Sequence, residues 1–292
     1  MVMEPEDEVI RLHQYAQRHA QSSASPFRYP GGKGFLTAYL AERISHLGVE
    51  SPVYVEPYCG GAGAALNLLK DGVVGSIHLN DLDPRIYSAW RAMIEECPRF
   101  LDRIASTPVT IETWRECRKI IEAAGDGYDF EVGFAAFFLN RTSTAGIIQG
   151  SGPIGGYEQT GKWKVDVRYY ADTMIRRVKW VGSMANSIRL TNLPALQFLS
   201  KHAESFDSAH TFYFVDPPYV HAGSRLYLDA MNTVLHRQLA ETLKSGRLSN
   251  WVLTYDDHPL IRQLYNGFRI SQLEVRYSLR NARRAREILI AS

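Results

Sequence analysis

Apolar positions along this chain alternate between short continuous runs and longer stretches of helical period. Pro52-Val53-Tyr54-Val55-Glu56-Pro57 predicts a short strand, followed by Cys59-Gly60-Gly61-Ala62-Gly63 and an Ala/Leu-rich helix over 64–69. Ser76-Ile77-His78-Leu79-Asn80 predicts the next strand, followed by Asp81-Leu82-Asp83-Pro84 and a helix over about 85–96. Upstream, a turn-rich loop over 27–34 precedes a helical pattern over 35–47. Strand, glycine loop, helix, strand and acid make a nucleotide-type βαβ unit, and hence an α/β fold with a largely parallel sheet.

Residues 97–180 break that rhythm with a helical start, the apolar run 134–139 and a long stretch rich in Gly, Ser, Thr and Asn. This reads as an inserted subdomain. The alternation resumes with a strand over 187–191, a helix near 195–202 and the strand Thr211-Phe212-Tyr213-Phe214-Val215 ending at Asp216. A helix over about 232–244, a strand over 250–255, another helix and a C-terminal hairpin follow. Residues 1–25 read as a mobile or helical arm ending in the polar hinge Gln21-Ser22-Ser23-Ala24-Ser25. The expected organisation is an arm over 1–25, a catalytic domain over 26–96 and 181–292, and an insert over 97–180.

Composition narrows the class. The chain has 292 residues, 45% hydrophobic and 22% charged, near globular averages, which excludes a disordered, collagen-like or disulfide-framework protein. No stretch approaches a membrane span, and the N-terminus lacks a basic-then-apolar signal pattern. Cys59, Cys97 and Cys117 are too few and scattered for a Cys-rich zinc site, and the histidines form no HxxxH-type pair, so an intracellular protein without a metal is expected. A net charge of +2 argues by itself against a strongly basic nucleic-acid binder. The charge is segregated, however. Residues 1–8 hold four acids and no base, 141–180 hold seven bases against three acids, and 262–292 hold seven arginines against two acids. Basic segments interleaved with aromatics suit a polyanion, although a solvated face reads the same way.

Two motifs carry chemistry. The glycine loop fails the dinucleotide fingerprint, because Leu66 stands where its third glycine belongs. Glu56 before the loop would repel a pyrophosphate and suits a cationic cofactor such as S-adenosylmethionine, while Asp81 can accept hydrogen bonds from a ribose diol. A purely structural glycine turn fits the loop equally well. The tetrapeptide Asp216-Pro217-Pro218-Tyr219 follows a strongly apolar strand, where open α/β sheets bind ligands. Its carboxylate, its proline carbonyl and its aromatic face suit a planar ring bearing an exocyclic amine. The alternative is an Asp-Pro-Pro turn capping a strand.

Together and in this order, these motifs resemble the Dam-like DNA adenine-N(6) methyltransferases over about 26–292. Residues 27–34, with Pro30-Gly31-Gly32-Lys33, resemble the family's N-terminal methyl-donor motif. Residues 56–63 resemble its donor loop, Asn80-Asp81-Leu82-Asp83 its ribose motif and Asp216 to Tyr219 its catalytic motif. Phe138-Leu139-Asn140-Arg141-Thr142 through Gly161-Lys162-Trp163-Lys164 resembles part of its DNA-recognition insert. The resemblance implies a Rossmann-like S-adenosylmethionine-dependent methyltransferase sheet with an inserted, mainly helical target-recognition subdomain, and a target adenine flipped out of double-stranded DNA.

Carried over by position, it implies Asp216, Pro217, Pro218 and Tyr219 as catalytic. Tyr29, Lys33, Glu56, Tyr58, Gly60, Gly61, Gly63, Asp81 and Asp216 would contact the donor. Arg141, Lys162 and Lys164 within the insert would contact DNA, and, read from the run itself, Arg280, Arg283 and Arg284 would contact its phosphates, although an exposed loop reads the same way. One departure stands out: the family's acid near the third sheet strand is missing from Arg189-Leu190-Thr191-Asn192-Leu193-Pro194-Ala195, so Asn192 or a backbone carbonyl would take the donor's adenine. Cytosine-N(4) methylation, glutamine-amide methylation and an inactive DNA-binding relative remain as rivals. The first two fit a Ser-first and an Asn-first tetrapeptide better than Asp216. Cys59 as a cytosine-type nucleophile fits its loop less well than donor binding does. The expected setting is the cytoplasm of a prokaryote or a virus-infected cell, as a monomer or weak dimer.

Overall fold

The computed structural model describes residues 8–10, 24–28, 31–220, 231–276 and 284–292, and at 8–10, 274–276 and 284–286 it describes the backbone. Among the described residues eight strands form the sheet: β1 (Glu8–Ile10), β2 (Val53–Glu56), β3 (Ser76–Asn80), β4 (Ile188–Thr191), β5 (Thr211–Val215), β6 (Trp251–Asp256), β7 (Arg269–Arg276) and β8 (Arg284–Ala291). Their spatial order is β1-β7-β8-β6-β5-β2-β3-β4. Strands β4, β3, β2, β5 and β6 run parallel, and β8 lies antiparallel between β6 and β7. The fold is the expected Rossmann-like α/β sheet.

Side chains alternate faces with period two, as a doubly covered sheet requires. Tyr54, Phe212, Phe214 and Val252 enter one apolar cluster, while Val55, Tyr213, Val215, Trp251 and Leu253 enter the other. On the first face lie α1 (Thr37–Ser45), α2 (Gly63–Lys70) and α3 (Pro84–Glu95). The second is covered by α8 (Ala195–Ser205), α9 (Thr233–Lys244) and α10 (Pro259–Leu264).

The stretch that breaks the rhythm is helical: α4 (Cys97–Ser106), α5 (Ile111–Glu122), α6 (Phe130–Thr142) and α7 (Ala171–Ser183). These helices share the first cluster instead of enclosing a core of their own. Helix α6 is buried on every side except at Glu131, as a helix with apolar residues all round must be. It lies so close to α3 that a Cβ at Gly133 would sit 2.6 Å from the Ser88 carbonyl carbon.

The arm differs from the expectation. Glu8–Ile10 pairs in parallel with Ser271, Gln272 and Leu273, supplying the hydrogen bonds that edge strand β7 would otherwise lack. Ala24 and Ser25, read as part of a polar hinge, are buried at 4% and 3% exposure. Among the described residues, no helix is long and apolar enough to cross a membrane.

Gly133→Ala tests the α3–α6 contact. The added methyl meets backbone, which cannot swing aside, so urea denaturation should show a loss of about 1–3 kcal/mol. Unchanged stability would mean that the two helices are less closely apposed.

Candidate active site

The chain leaves β2 for β3 and β4 on one side, then returns to lay β5 on the other side of β2. In open α/β sheets, ligands bind beyond the carboxyl ends of the strands at such a reversal. Here the two adjacent carboxyl ends are Glu56 with its glycine loop and Val215 with Asp216. A cavity of about 1290 Å³ opens between them.

The glycine loop is fixed from several sides. Gly60 and Ala62 take left-handed backbone angles, both at φ 45°. The Gly60 carbonyl accepts from Trp90 Nε1 at 2.8 Å, and the Gly61 carbonyl accepts from Ser25 Oγ at 2.5 Å. Glu56 is 4% exposed, and its Oε1 accepts from the Tyr54 hydroxyl at 3.0 Å. Burial pushes its carboxyl up to about 8, with the nearby Asp216 charge adding to the rise, against the bonds from Tyr54 and the Ala65 N–H. Burial, with Asp81 and Glu56 adding, also pushes the Cys59 thiol well up, so Cys59 is a neutral thiol and a poor nucleophile.

At the end of β3, Asn80 is fully buried and uses both ends of its carboxamide. Its Nδ2 donates to the Pro57 carbonyl at 3.0 Å and the Leu193 carbonyl at 2.9 Å. Its Oδ1 accepts from Thr191 Oγ1 at 2.7 Å and the Leu193 N–H at 3.0 Å. Asp81 follows. Its Oδ2 accepts from the Gly60 N–H at 2.8 Å and its Oδ1 from the Asp83 N–H at 3.0 Å. Burial, and then the Asp83 charge, raise its carboxyl to about 7. The Asn192 amide donates to the Asp81 and Leu82 carbonyls at 2.7 and 2.9 Å, so its nitrogen is committed to shaping this loop.

Beyond β5, Pro217 and Pro218 are buried, while Asp216 and Tyr219 are half-buried. Asp216 Oδ1 accepts from Thr254 Oγ1 at 2.6 Å and from the Tyr219 hydroxyl at 3.1 Å. Asp216 Oδ2 lies 2.9 Å from Lys33 Nζ. That ammonium is 6% exposed, donates to the Gly31 carbonyl at 2.8 Å and stands 5.2 Å from the Tyr219 ring centroid. The turn-rich loop over 31–34 and the tetrapeptide, far apart in sequence, therefore form one charged cluster.

Lys33, Glu56, Tyr58, Gly60, Gly61, Gly63, Asp81, Asp216 and Pro218 all line the cavity. Tyr29, Arg280 and Arg283 lie outside the described residues, and of Arg284 only the backbone is described. Lys162 and Lys164 are exposed, as are Trp163 at 59% and Tyr157 at 55%, whereas Tyr169 is buried at 3% in the shared core. Arg141 does not share that surface. It is 5% exposed and donates to the Arg168 carbonyl, and burial, with Arg28, Arg177 and Arg168 adding repulsion, lowers its pKa to about 9. It sits behind the basic face because α6 is buried on that side.

The sequence reading missed Ser25, Trp90, Asn80 as a clamp, Thr254 and Glu287, the last 3.7 Å from Lys33 Nζ. A buried polar residue within a strand, as at Asn80, Thr254 and Glu287, was the one available signal. His78 and His202 also meet, at 2.8 Å, with His202 bonded to the Tyr213 hydroxyl at 3.0 Å. Burial holds both neutral, at about 3 and about 4, and neither lines the cavity. Among the described residues, no group of three or more His, Cys, Asp or Glu is placed to hold a metal.

Among curated proteins, none matches the chain by sequence. Of solved structures, SMU.472, described as a candidate methyltransferase complexed with SAH, matches with a TM-score of 0.27 and 13% identity, over 66% of this chain and 55% of that one. The chain thus spans about half the length of that protein. Residues 29–126 match the family described as D12 class N6 adenine-specific DNA methyltransferase, and this bears out the resemblance to adenine-N(6) methyltransferases drawn from the motifs.

Proposed function

We propose that the protein transfers the methyl group of S-adenosylmethionine to the exocyclic amino nitrogen of adenine within a specific sequence of double-stranded DNA, with the target base turned out of the helix. The observation that carries this reading is the juxtaposition of Asp216 and Pro218 with the glycine loop in one cavity across the β2–β5 reversal, with the Tyr219 hydroxyl bonded to Asp216. At about 1290 Å³ the cavity exceeds the roughly 300–1,000 Å³ usual for a single small molecule, leaving room for donor and base together.

The residues present fit the donor. Glu56, held near 8, is a protonated carboxyl that an incoming cation would ionise. Asp81 keeps lone pairs for a ribose diol beside the two backbone N–H groups it already binds. When bound, the donor supplies an electrophilic methyl on a sulfonium. The protein's part is positioning. Asp216 and the Pro217 carbonyl accept the two N–H bonds of the target amine, Tyr219 stacks on the ring, and Thr254 fixes the Asp216 carboxylate. The nitrogen lone pair forms the new N–C bond as the C–S bond breaks toward sulfur. The nitrogen then loses a proton to Asp216 or solvent, with no covalent enzyme intermediate. Alignment and fixed charge supply most of the rate. Extruding the base costs a few kcal/mol. Lys162, Lys164 and Arg168, interleaved with exposed Trp163, Tyr157 and Tyr170, form the face that meets the phosphates. The insert over 97–180 is the target-recognition part of this scheme.

Asp216→Ala should lower methyl transfer to DNA by about 10²-fold or more while donor affinity stays within a few-fold. The measurement is labelled-methyl incorporation, with the modified nucleoside identified as N6-methyladenine. Near-normal methylation by this variant, or a product methylated on cytosine, would overturn the assignment.

Donor binding should also release protons. Glu56 titrates near 8 and Asp81 near 7 in the free protein, and a bound cation and diol favour their ionised forms. Protonation therefore opposes binding at low pH, and affinity should rise about tenfold per pH unit for each group still protonated, Glu56 below about 8 and Asp81 below about 7. Titration calorimetry in buffers of different ionisation enthalpy reads the released protons. Glu56→Gln should remove the component near 8, and a flat pH profile in the unaltered protein would exclude this coupling.

A further inference from the structure

Lys33 stands between two carboxylates, one of which belongs to no motif. Its Nζ is 2.9 Å from Asp216 Oδ2 and 3.7 Å from Glu287 Oε2, with the Gly31 carbonyl at 2.8 Å as its third oxygen neighbour. Three acceptors match the three N–H bonds of an ammonium. Glu287 is 2% exposed and sits in β8 between Asp256 on β6 and Leu273 on β7, immediately before the apolar run Ile288-Leu289-Ile290. A carboxylate at such a position is costly to bury unless its charge is answered. Lys33 is a basic side chain within ion-pair range of it.

The arrangement bears on the reaction because Asp216 is already engaged. Thr254 and Tyr219 donate to its Oδ1, and Lys33 holds its Oδ2. A target amine approaching Asp216 meets an acceptor with two donors on one oxygen and an ammonium on the other. Were Asp216 the sole counter-charge of Lys33, releasing that oxygen would strand a buried cation. With Glu287 beyond hydrogen-bond distance but inside ion-pair range, a shift of about 1 Å suffices to make a charge-assisted bond to the second carboxylate.

Resting on the adenine-methylation reading, we propose that Glu287 is a positioning residue for transfer. It provides a second seat for the Lys33 ammonium, so that Lys33 moves from Asp216 Oδ2 to Glu287 Oε2 as the target amine arrives. Asp216 then turns a free oxygen to the amine, and Lys33 stays buried, neutralised and close to the Tyr219 ring. No bond is made or broken in this step beyond the exchange of hydrogen-bond partners. Before target binding, Lys33 pairs with Asp216 Oδ2. Afterwards, the Lys33–Glu287 pair leaves the Asp216 charge for the developing ammonium of the methylated nitrogen.

The experiment is single-turnover methylation of a DNA duplex by Glu287→Gln, beside donor binding by calorimetry and thermal unfolding. The amide keeps the shape and an acceptor oxygen but loses the charge that draws Lys33 away. The single-turnover rate should fall by tenfold or more, with donor affinity within twofold of the unaltered protein. In a Lys33→Met background, adding Glu287→Gln should cause no further loss of rate, because the cation to be reseated is gone. A purely structural Glu287 gives the opposite pattern, with the two losses multiplying and tracking the fraction folded. If Glu287→Gln does not fold, Glu287→Asp keeps the charge but withdraws it by one methylene, and should slow transfer at unchanged donor affinity. Wild-type single-turnover rates in the Gln variant, or in the Asp variant where it is used, overturn the role of Glu287 alone. An unaltered protein that binds the donor yet leaves DNA adenine unmethylated overturns the functional reading and this role with it.

Discussion

Asn80 makes four hydrogen bonds within its carboxamide, and three separate segments meet there. Pro57 belongs to the glycine loop, Thr191 ends β4, and Leu193 begins the loop beyond it. Its own carbonyl accepts from the Cys59 N–H at 2.9 Å, and the next residue, Asp81, holds the Gly60 N–H. A buried amide whose partners are removed loses far more than the ~1 kcal/mol net of an average hydrogen bond. The loops beyond β2, β3 and β4 are thus locked to one another at a single point, and one wall of the cavity is rigid before any ligand arrives. Preorganisation of this kind lets a site align reactants without reorganising during the reaction.

The opposite wall is arranged by charge. Lys33, Glu56 and Glu287 are nearly buried, and Asp216 is only 21% exposed. Buried ions are costly to desolvate, and pairing returns that cost only where geometry is good. The 2.9 Å Lys33–Asp216 pair meets that condition, and the 3.7 Å Lys33–Glu287 approach meets it less well. Glu56 has no such cation among its described contacts and stays protonated up to about 8. Among the described residues, Lys33 thus has two carboxylates within ion-pair range, beside a Glu56 carboxyl that becomes charged when positive charge is supplied from outside. A site built this way stores its electrostatic response for the ligand.

The parts legible in the sequence are those whose signal is local. Gly60, Gly61 and Gly63 follow a strand, Asp81 ends the next, and Asp216 to Tyr219 break a third, so each motif announces its own turn chemistry. The parts that were not legible depend on neighbours distant in the chain. Ser25 looks like linker serine until its hydroxyl reaches Gly61, and Thr254 reads as one more strand residue until Asp216 lies beside it. Arg141 reads as a surface cation because nothing in its flanks says that α6 is enclosed on the side it faces. The arm's strand was hidden for the same reason, since three residues suffice when an edge strand waits for a partner.

Sequence pattern also separates the insert from the catalytic sheet more sharply than packing does. The Asn140 carboxamide accepts from the Arg28 N–H at 2.7 Å and donates to the Arg28 carbonyl at 3.0 Å, holding that backbone as a neighbouring strand would. Gly146 closes the contact, because a Cβ there would stand 2.2 Å from the Arg28 carbonyl oxygen. Arg177 on α7 donates to the Ser25 carbonyl at 2.8 Å, and the Ser25 hydroxyl reaches Gly61. Two chains of contact thus run from the insert helices into the segment over 24–28, and one continues into the glycine loop. A displacement of α7 would reach that loop through the Arg177–Ser25 and Ser25–Gly61 hydrogen bonds. The charge segregation that made the insert look like a separate binding part and the shared core that denies it independence are compatible for this reason. The basic face is carried by the irregular stretch between α6 and α7, while those helices give their apolar sides to the shared core.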